Sequence, residues 1–353
     1  MKRGNFRCCW PKLRLRVRRP ETTALPVRLR GMDGHTDILI IGGGMAGLSA
    51  ATALAAAGQS IIVLDKGRGP GGRMAARRVE IGGEQVSFDH GAQYFTARDP
   101  GFREVVSGWE AAGVAASWPA AGDEAFVGTP GMNACIKALA APLDVRWGVR
   151  AERLTREAGL WRIESGEQSF TAATVLVAVP AEQAAVLLAE AAPDLAALAA
   201  SVTSAPCWAV MAGFDAPIDF AADTFRSATA PISWAARNSA KPGRTGAENW
   251  VIHASADRSR ELIDYPKDDA ARTLLADFFT AAGIAPAAPV HLDAHRWLYA
   301  LPAALKGEGA RFDPALRIGI AGDYLHSPRV EGAWLSGYAL AEAVCQERLA
   351  STS

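Results

Sequence analysis

The sequence predicts an α/β fold built on a Rossmann-like dinucleotide-binding unit, and three observations predict it. Asp37–Ile41 is a short apolar run that turns through Gly42-Gly43-Gly44-Met45-Ala46-Gly47 into an alanine-rich helix. A second apolar run over 60–65 follows and ends on Asp65. Near the other end, residues 316–323 form another apolar run closing on Gly322-Asp323, with a long Ala/Leu/Glu helix after it. The 353 residues are 50% hydrophobic and 21% charged, which excludes whole-chain disorder, collagen and coiled coil. At roughly 150 residues per domain the length suits about two domains.

Residues 1–31 carry ten basic residues and one acid, leaving 27 basic and 36 acidic residues in an acidic body. That body argues against nucleic acid as a partner. The arm shows no apolar periodicity, and no hydrophobic segment follows Arg18-Arg19 to make a twin-arginine signal. Few serines and scattered prolines count against a transit peptide, and a basic arm for membranes or RNA is the other functional reading. The favoured reading is a flexible tail, or translated upstream sequence with the start at Met32. No run of 18 apolar residues exists, so no membrane insertion is expected.

The first strand reaches its turn at Gly42. In G-x-G-x-x-G, Gly42 permits the tight turn, Gly44 lets backbone approach a pyrophosphate, and Gly47 lets helix and strand pack closely. Met45 and Ala46 complete the motif, and the helix pattern runs from Leu48 to Gly58, its free N-terminal N–H groups suited to phosphate. Asp65, 23 residues after Gly42, can accept ribose hydroxyls. The loop Lys66-Gly67-Arg68-Gly69-Pro70-Gly71-Gly72-Arg73-Met74 is glycine-rich and basic where an ordinary NAD domain would enter a helix.

Further on, residues 101–113 and 130–141 have helix patterns, the latter starting at Thr129-Pro130. Strands are expected over Val145–Leu154, Leu160–Glu164 and Thr174–Val179. Pro180 begins a helix, and Pro193 interrupts the Ala/Leu segment after it. Residues 206–300 hold strands rich in Trp and Phe and a helix near 268–282, with 284–290 a linker. Cys135, Cys207 and Cys345 match no zinc or CxxC spacing, and read as reduced thiols of a cytoplasmic protein.

Asp65-Lys66 with Gly71-Gly72-Arg73 resembles the second FAD signature of the flavin amine oxidase superfamily. Four further segments are similar to bacterial renalases, one branch of it: Phe88–Thr96 (with Gln93-Tyr94), Trp234–Arg244, His295–Ala300 and Val330–Gly337. The resemblance spans about 36–347. It implies an FAD-binding Rossmann-like domain interleaved with a mixed-sheet substrate domain, of the p-hydroxybenzoate hydroxylase or amine oxidase type. The FAD-binding part would be 34–94, 128–200 and 308–353, and the substrate part 95–127 and 201–307. It also implies that Asp323 holds the ribityl or pyrophosphate part of FAD. Gly332, Ala333 and Trp334 would open a helix toward the flavin N1 edge, where the reduced ring carries negative charge. Ala151 would clamp adenine through its backbone. No cysteine matches a covalent attachment, so FAD is expected to be non-covalent.

As a family, renalases oxidise NAD(P) reduced at the 2- or 6-position. Hydride goes to flavin N5 and O2 is reduced to H2O2, so the implied partners are a dihydronicotinamide dinucleotide and O2. Such chemistry needs no acid–base dyad, and the sequence offers no triad and no metal cluster. Tyr94, Trp234, Trp297 and Tyr299 are aromatic pocket candidates. Gln93 and Asn238 can hydrogen-bond a carboxamide. Lys241, Arg244 and Arg296 can hold an anion or stand as solvated charges. His90, His253, His291 and His295 read as structural. The competing readings are an amine oxidase or desaturase-like FAD enzyme, and a non-enzymatic flavoprotein sensing NAD(P) or redox state.

Overall fold

The computed structural model describes residues 35–350 other than 247 and 306. The basic stretch 1–31, Cys8, Cys9 and the start expected at Met32 lie outside them.

The first strand, His35–Ile41, lies inside an eight-stranded sheet. Gln168–Val177 and Ile61–Asp65 flank it in parallel, and Ile318–Ile320 and Val145–Trp147 add further parallel strands outside these. A parallel strand covered on both faces needs an unbroken apolar run, and Ile38, Leu39 and Ile40 have no exposed surface. An antiparallel ladder of Arg153–Glu157 and Leu160–Ser165 branches from Gln168–Val177.

The first helix (Met45–Ala56) and the last (Val330–Ala350) share one face of this sheet. They approach so closely that a Cβ on Gly337 would lie 2.0 Å from the Ala46 carbonyl oxygen. The helices Ala181–Leu188 and Pro193–Ala200 cover the other face with Trp161.

A second sheet has five antiparallel strands, in the order Thr224–Arg226, Ile232–Arg237, Asn249–Ala254, Ser204–Gly213, His291–Pro302. One face packs on the helix Lys267–Ala282 through Trp250, Leu274 and Phe278. The hairpin of Arg77–Ile81 and Glu84–Phe88 meets the other face through Val86 and Phe88, against Met211 and Val251. The loop 89–94 that follows the hairpin links the sheets: Ala92 N–H donates to Arg73 O, and Trp297 Nε1–H donates to His90 O.

Two expected elements differ. The strand expected over Val145–Leu154 is two strands, because Gly148 turns the backbone at φ +76° and Arg153–Glu157 joins the antiparallel ladder. Ala151 therefore sits in a loop. The helix expected from Pro130 begins at Ala134. The residues before it form a turn in which Met132 N–H donates to Asp89 Oδ1. The hairpin 77–88 and the short helix Ala256–Glu261, capped by Ser255, were not read from the sequence.

Candidate functional site

The glycine motif builds an open cradle. Gly42 has φ +113°, and a Cβ there would strike the Ala178 carbonyl. A Cβ on Gly47 would lie 1.9 Å from Gly42 O, so the helix starts hard against the turn. Above Gly44 nothing lies within 4 Å. The helix's opening bond runs from Leu48 N–H to Gly44 O, and its first turn holds no acid. Met45, Ala46 and Gly47 thus present helix-start N–H groups beside open space, as an anionic phosphate requires.

The Asp65 carboxylate accepts from Gly43 N–H and Gly67 N–H, each at 2.6 Å, and so ties together both glycine loops. Val149 N–H donates to Asp65 O and Gly148 N–H to Gly67 O, which brings the loop carrying Ala151 beside the acid. Lys66 is exposed and donates to Gln183 Oε1.

The basic loop folds back on the motif: a Cβ on Gly72 would lie 3.9 Å from Gly44 Cα. Gly71 and Met74 are buried, Met74 in the core. Arg73 forks onto the Asp323 carboxylate at 2.6 and 2.8 Å, joining positions 250 residues apart. Gly322 N–H donates to Ser336 Oγ, which fixes the strand end to the last helix. Gly332 and Ala333 stand in that helix's first turn, where a Cβ on Gly332 would lie 2.1 Å from Ser327 O. The Trp334 ring stacks on Tyr338 at 5.4 Å and packs on Phe102. It fills the core and offers a ligand no aromatic face.

The second sheet presents a cross-strand row toward the loop 89–94. Trp234 is opposite His253, His253 opposite Ala209, and Ala209 opposite His295. Residues paired this way share one face of the sheet. Trp297 follows His295 on the same face, and the register then shifts before Leu301, which leaves the half-buried Tyr299 in the irregular stretch and outside this row. His90 stacks on Trp297 at 5.2 Å, and His295 meets both rings edge-on at 5.1 and 4.3 Å. Tyr94 and Trp234 lie 5.4 Å apart. The Arg226 guanidinium stands 4.4 Å from the Trp234 ring centre and donates to Tyr94 Oη and Ala121 O. A cavity of about 280 Å³ opens beside Tyr94, Arg98, Glu124 and Arg226. A larger groove of about 520 Å³ lies along the helix Lys267–Ala282 and shares no residue with this face.

The histidines here are neutral. Burial, with His295 and Arg77 nearby, pushes His90 down to about 4. Burial and Lys241 do the same to His253, also to about 4. Burial and Arg77 lower His295 as well. His90 Nδ1 and Trp234 Nε1 are buried with no protein partner.

Several expected contacts are otherwise engaged. Asn238 is wholly buried: its amide donates to Ser87 O, and its oxygen accepts from Asp89 N–H. Gln93 donates to Asp89 O and to Gly91 O at 3.0 Å, while its oxygen accepts from Lys241 Nζ at 3.1 Å. Neither amide is left for a carboxamide. Lys241 and Arg244 are not solvated charges: both pair with Asp89, and all three side chains are at most 1% exposed. Burial alone would raise Asp89, but Lys241 and Arg244 hold it below the usual carboxylate range. Arg296 lies outside the pocket, donating to Ile263 O over the Trp208 ring. Sequence reading passed over Arg226, which no motif marks. It also took His90 and His295 as unrelated, although strand pairing gathers them.

An open glycine cradle, a paired Arg73–Asp323 and the buried, unpartnered ring nitrogens of His90 and Trp234 at an aromatic sheet face all suit a bound flavin dinucleotide. Residues 40–109 match the family described as NAD(P)-binding Rossmann-like domain, and residues 116–345 match Flavin containing amine oxidoreductase. Three solved structures are similar in fold. One, described as a candidate protoporphyrinogen oxidase from Exiguobacterium sp. 255-15, has TM-score 0.69 and 15% identity, covering 88% of this chain and 99% of that one. Putrescine oxidase bound to putrescine has TM-score 0.63 and 14% identity, with coverage of 88% and 99%. Cyclohexylamine oxidase from Brevibacterium oxydans IH-35A has TM-score 0.61 and 14% identity, with coverage of 89% and 99%.

Proposed function

The chain belongs to the flavin-containing amine oxidoreductases, an FAD-dependent family, and on that footing we propose that it oxidises isomeric (2- or 6-) dihydro-NAD(P) to NAD(P)+, with O2 reduced to H2O2. The observation that carries this reading is the face made by Trp234, His253, His295 and Trp297 against Tyr94 and His90. It is aromatic, and the charge standing on it is the Arg226 guanidinium over the Trp234 ring. A cationic amine would meet that guanidinium, and Asp89, the acid buried in the loop 89–94, is already held by two cations. A neutral reduced nicotinamide needs only stacking and orientation.

The cofactor would be held by Gly42, Gly44, Met45, Ala46 and Gly47 at the pyrophosphate, and by Asp65 and the Ala151 loop at the adenosine end. Arg73, Asp323, Gly332 and Ala333 would serve toward the ring. When bound, FAD supplies a hydride acceptor. The protein's part is orientation: Trp234 and Trp297 would fix the plane of the donor ring, and Trp234 Nε1–H and His90 Nδ1 would take its polar groups. Neutral histidines would keep protons from the hydride path. Burial raises the Cys135 and Cys207 thiols to about 12, so they are poor nucleophiles, in keeping with non-covalent FAD. The cofactor domain on this reading is 34–94, 128–200 and 308–353, and the substrate domain 95–127 and 201–307.

Anaerobic stopped-flow of the purified yellow protein tests this. The 2- and 6-dihydro isomers should bleach the flavin band within a second, while putrescine, cyclohexylamine and benzylamine leave it intact. Bleaching by the amines alone would overturn the proposal in favour of an amine oxidase.

A further inference from the structure

The fold seals an excess positive charge behind the loop 89–94. Lys241 Nζ lies 3.3 Å from Asp89 Oδ2, and Arg244 Nη2 pairs with the same oxygen. The three side chains are 0%, 1% and 1% exposed. Among the described residues, Asp89 is the only carboxylate pairing with either cation. The remaining contacts are neutral: Arg244 donates to Gly128 O and Pro242 O, Lys241 donates to Gln93 Oε1, and Lys241 stands 5.3 Å over the Trp118 ring. Two cations on one acid leave one net positive charge out of water. Such a charge costs several kcal/mol unless something opposes it. Burial lowers Lys241 to about 8, with Asp89 opposing the fall and Arg244 adding to it, and Nζ donates to both Asp89 Oδ2 and Gln93 Oε1, the acceptors an ammonium requires.

The charge is wired to the cradle. Gln93, which takes the Lys241 bond, belongs to the loop whose Ala92 N–H donates to Arg73 O. Arg73 in turn forks onto Asp323. The Lys241 side chain itself reaches no ligand, because protein covers it completely.

We propose that the Asp89–Lys241–Arg244 cluster is a built-in electrostatic device, whose net positive charge raises the reduction potential of the bound flavin. In a dry interior a fixed cation stabilises negative charge arriving on the ring without reorganising water. Lys241 and Arg244 are positioning residues that act through the field, not catalytic ones. The inference rests on FAD in the cradle and is independent of which substrate donates the hydride.

The test measures the flavin midpoint potential and sulfite binding, the latter read from loss of the visible flavin band, in full-length FAD-loaded protein. Two variants neutralise the cluster differently. Lys241→Met removes the charge and the bond to Gln93. Arg244→Met removes a charge and leaves that bond in place. Each leaves Asp89 with one cation, a neutral cluster a buried site tolerates. Both should weaken sulfite binding at least tenfold, and both should lower the potential by about 30 mV or more, the two-electron equivalent of tenfold. Lys241→Arg, which keeps the charge, should restore wild-type values. A fall in Lys241→Met alone would assign the effect to Gln93 placement and overturn the field proposal. Unchanged potentials in both would overturn it too. If either Met variant fails to fold, the other decides: a wild-type potential in it sinks the idea.

Discussion

Asp89 shows how much one buried carboxylate can hold. It accepts from Lys241, Arg244 and Met132 N–H, so it fastens the loop 89–94 to two other segments. Asp89→Asn would strand both cations, and urea denaturation should show a loss of about 3–5 kcal/mol. The histidines add a pH dependence of definite sign. His90 and His253 fall from 6.5 to about 4 in the fold, so the unfolded chain binds protons more readily. Their contribution is complete above about pH 6.5 and lost as pH falls toward 4. The urea midpoint should therefore drop between pH 7 and pH 5. Where only the unfolded chain is protonated at one of these histidines, stability falls by about 1.4 kcal/mol for every further step of one in pH. These residues were visible in the sequence only as types. Asn238 and Gln93 looked like carboxamide readers because their amides can pair with another amide. What decides their role is a partner far along the chain, Ser87 O for Asn238 and Lys241 Nζ for Gln93. Such long-range neighbours leave no local trace.

At the scale of elements, the glycine turn was legible because its requirement is local. Gly42 makes the turn and Gly47 the close packing that the spacing foretold, and Gly44 and Gly47 part company under mutation. Gly44→Ala meets open space, so the apoprotein's melting temperature should hold within about 2 °C. The new methyl would crowd the pyrophosphate, and FAD titration should show at least tenfold weaker binding, about 1.4 kcal/mol. Gly47→Ala drives a Cβ into Gly42 O. It should destabilise the apoprotein itself by about 1–3 kcal/mol, although Ala is normally the better helix former. The hairpin 77–88 was missed, although Ile81-Gly82-Gly83-Glu84 carries its turn. Both glycines have positive φ, the signature of a tight type I′ turn. Its charged flanking residues hid the alternation. The Val145–Leu154 error has a similar origin: hydrophobicity alone does not show that Gly148 turns the chain from one sheet edge to another ladder.

For the whole molecule, the chain ends matter most. The strand Ile318–Ile320 and the last helix complete a sheet that begins at His35. Truncation after Asp313 would strip the buried partner of Gln168–Val177 and the cover of the first helix. Circular dichroism of that fragment should show no cooperative melting transition. Interleaving of this kind came from motif resemblance and not from composition, since no local pattern says that two distant segments share a layer. Ser49 Oγ donates to Trp334 O across 285 residues of chain, at the same seam where Gly337 presses on Ala46. During synthesis at about 5–20 residues per second, the first helix waits roughly a quarter of a minute to a minute for its mate to be made. The nascent chain thus carries a finished glycine turn with an uncovered apolar flank, and the Arg73–Asp323 clasp cannot close until 250 further residues have been made after Arg73. Flavin capture then waits on a segment made long after the glycine turn, and in that interval the first helix stays open to chaperones.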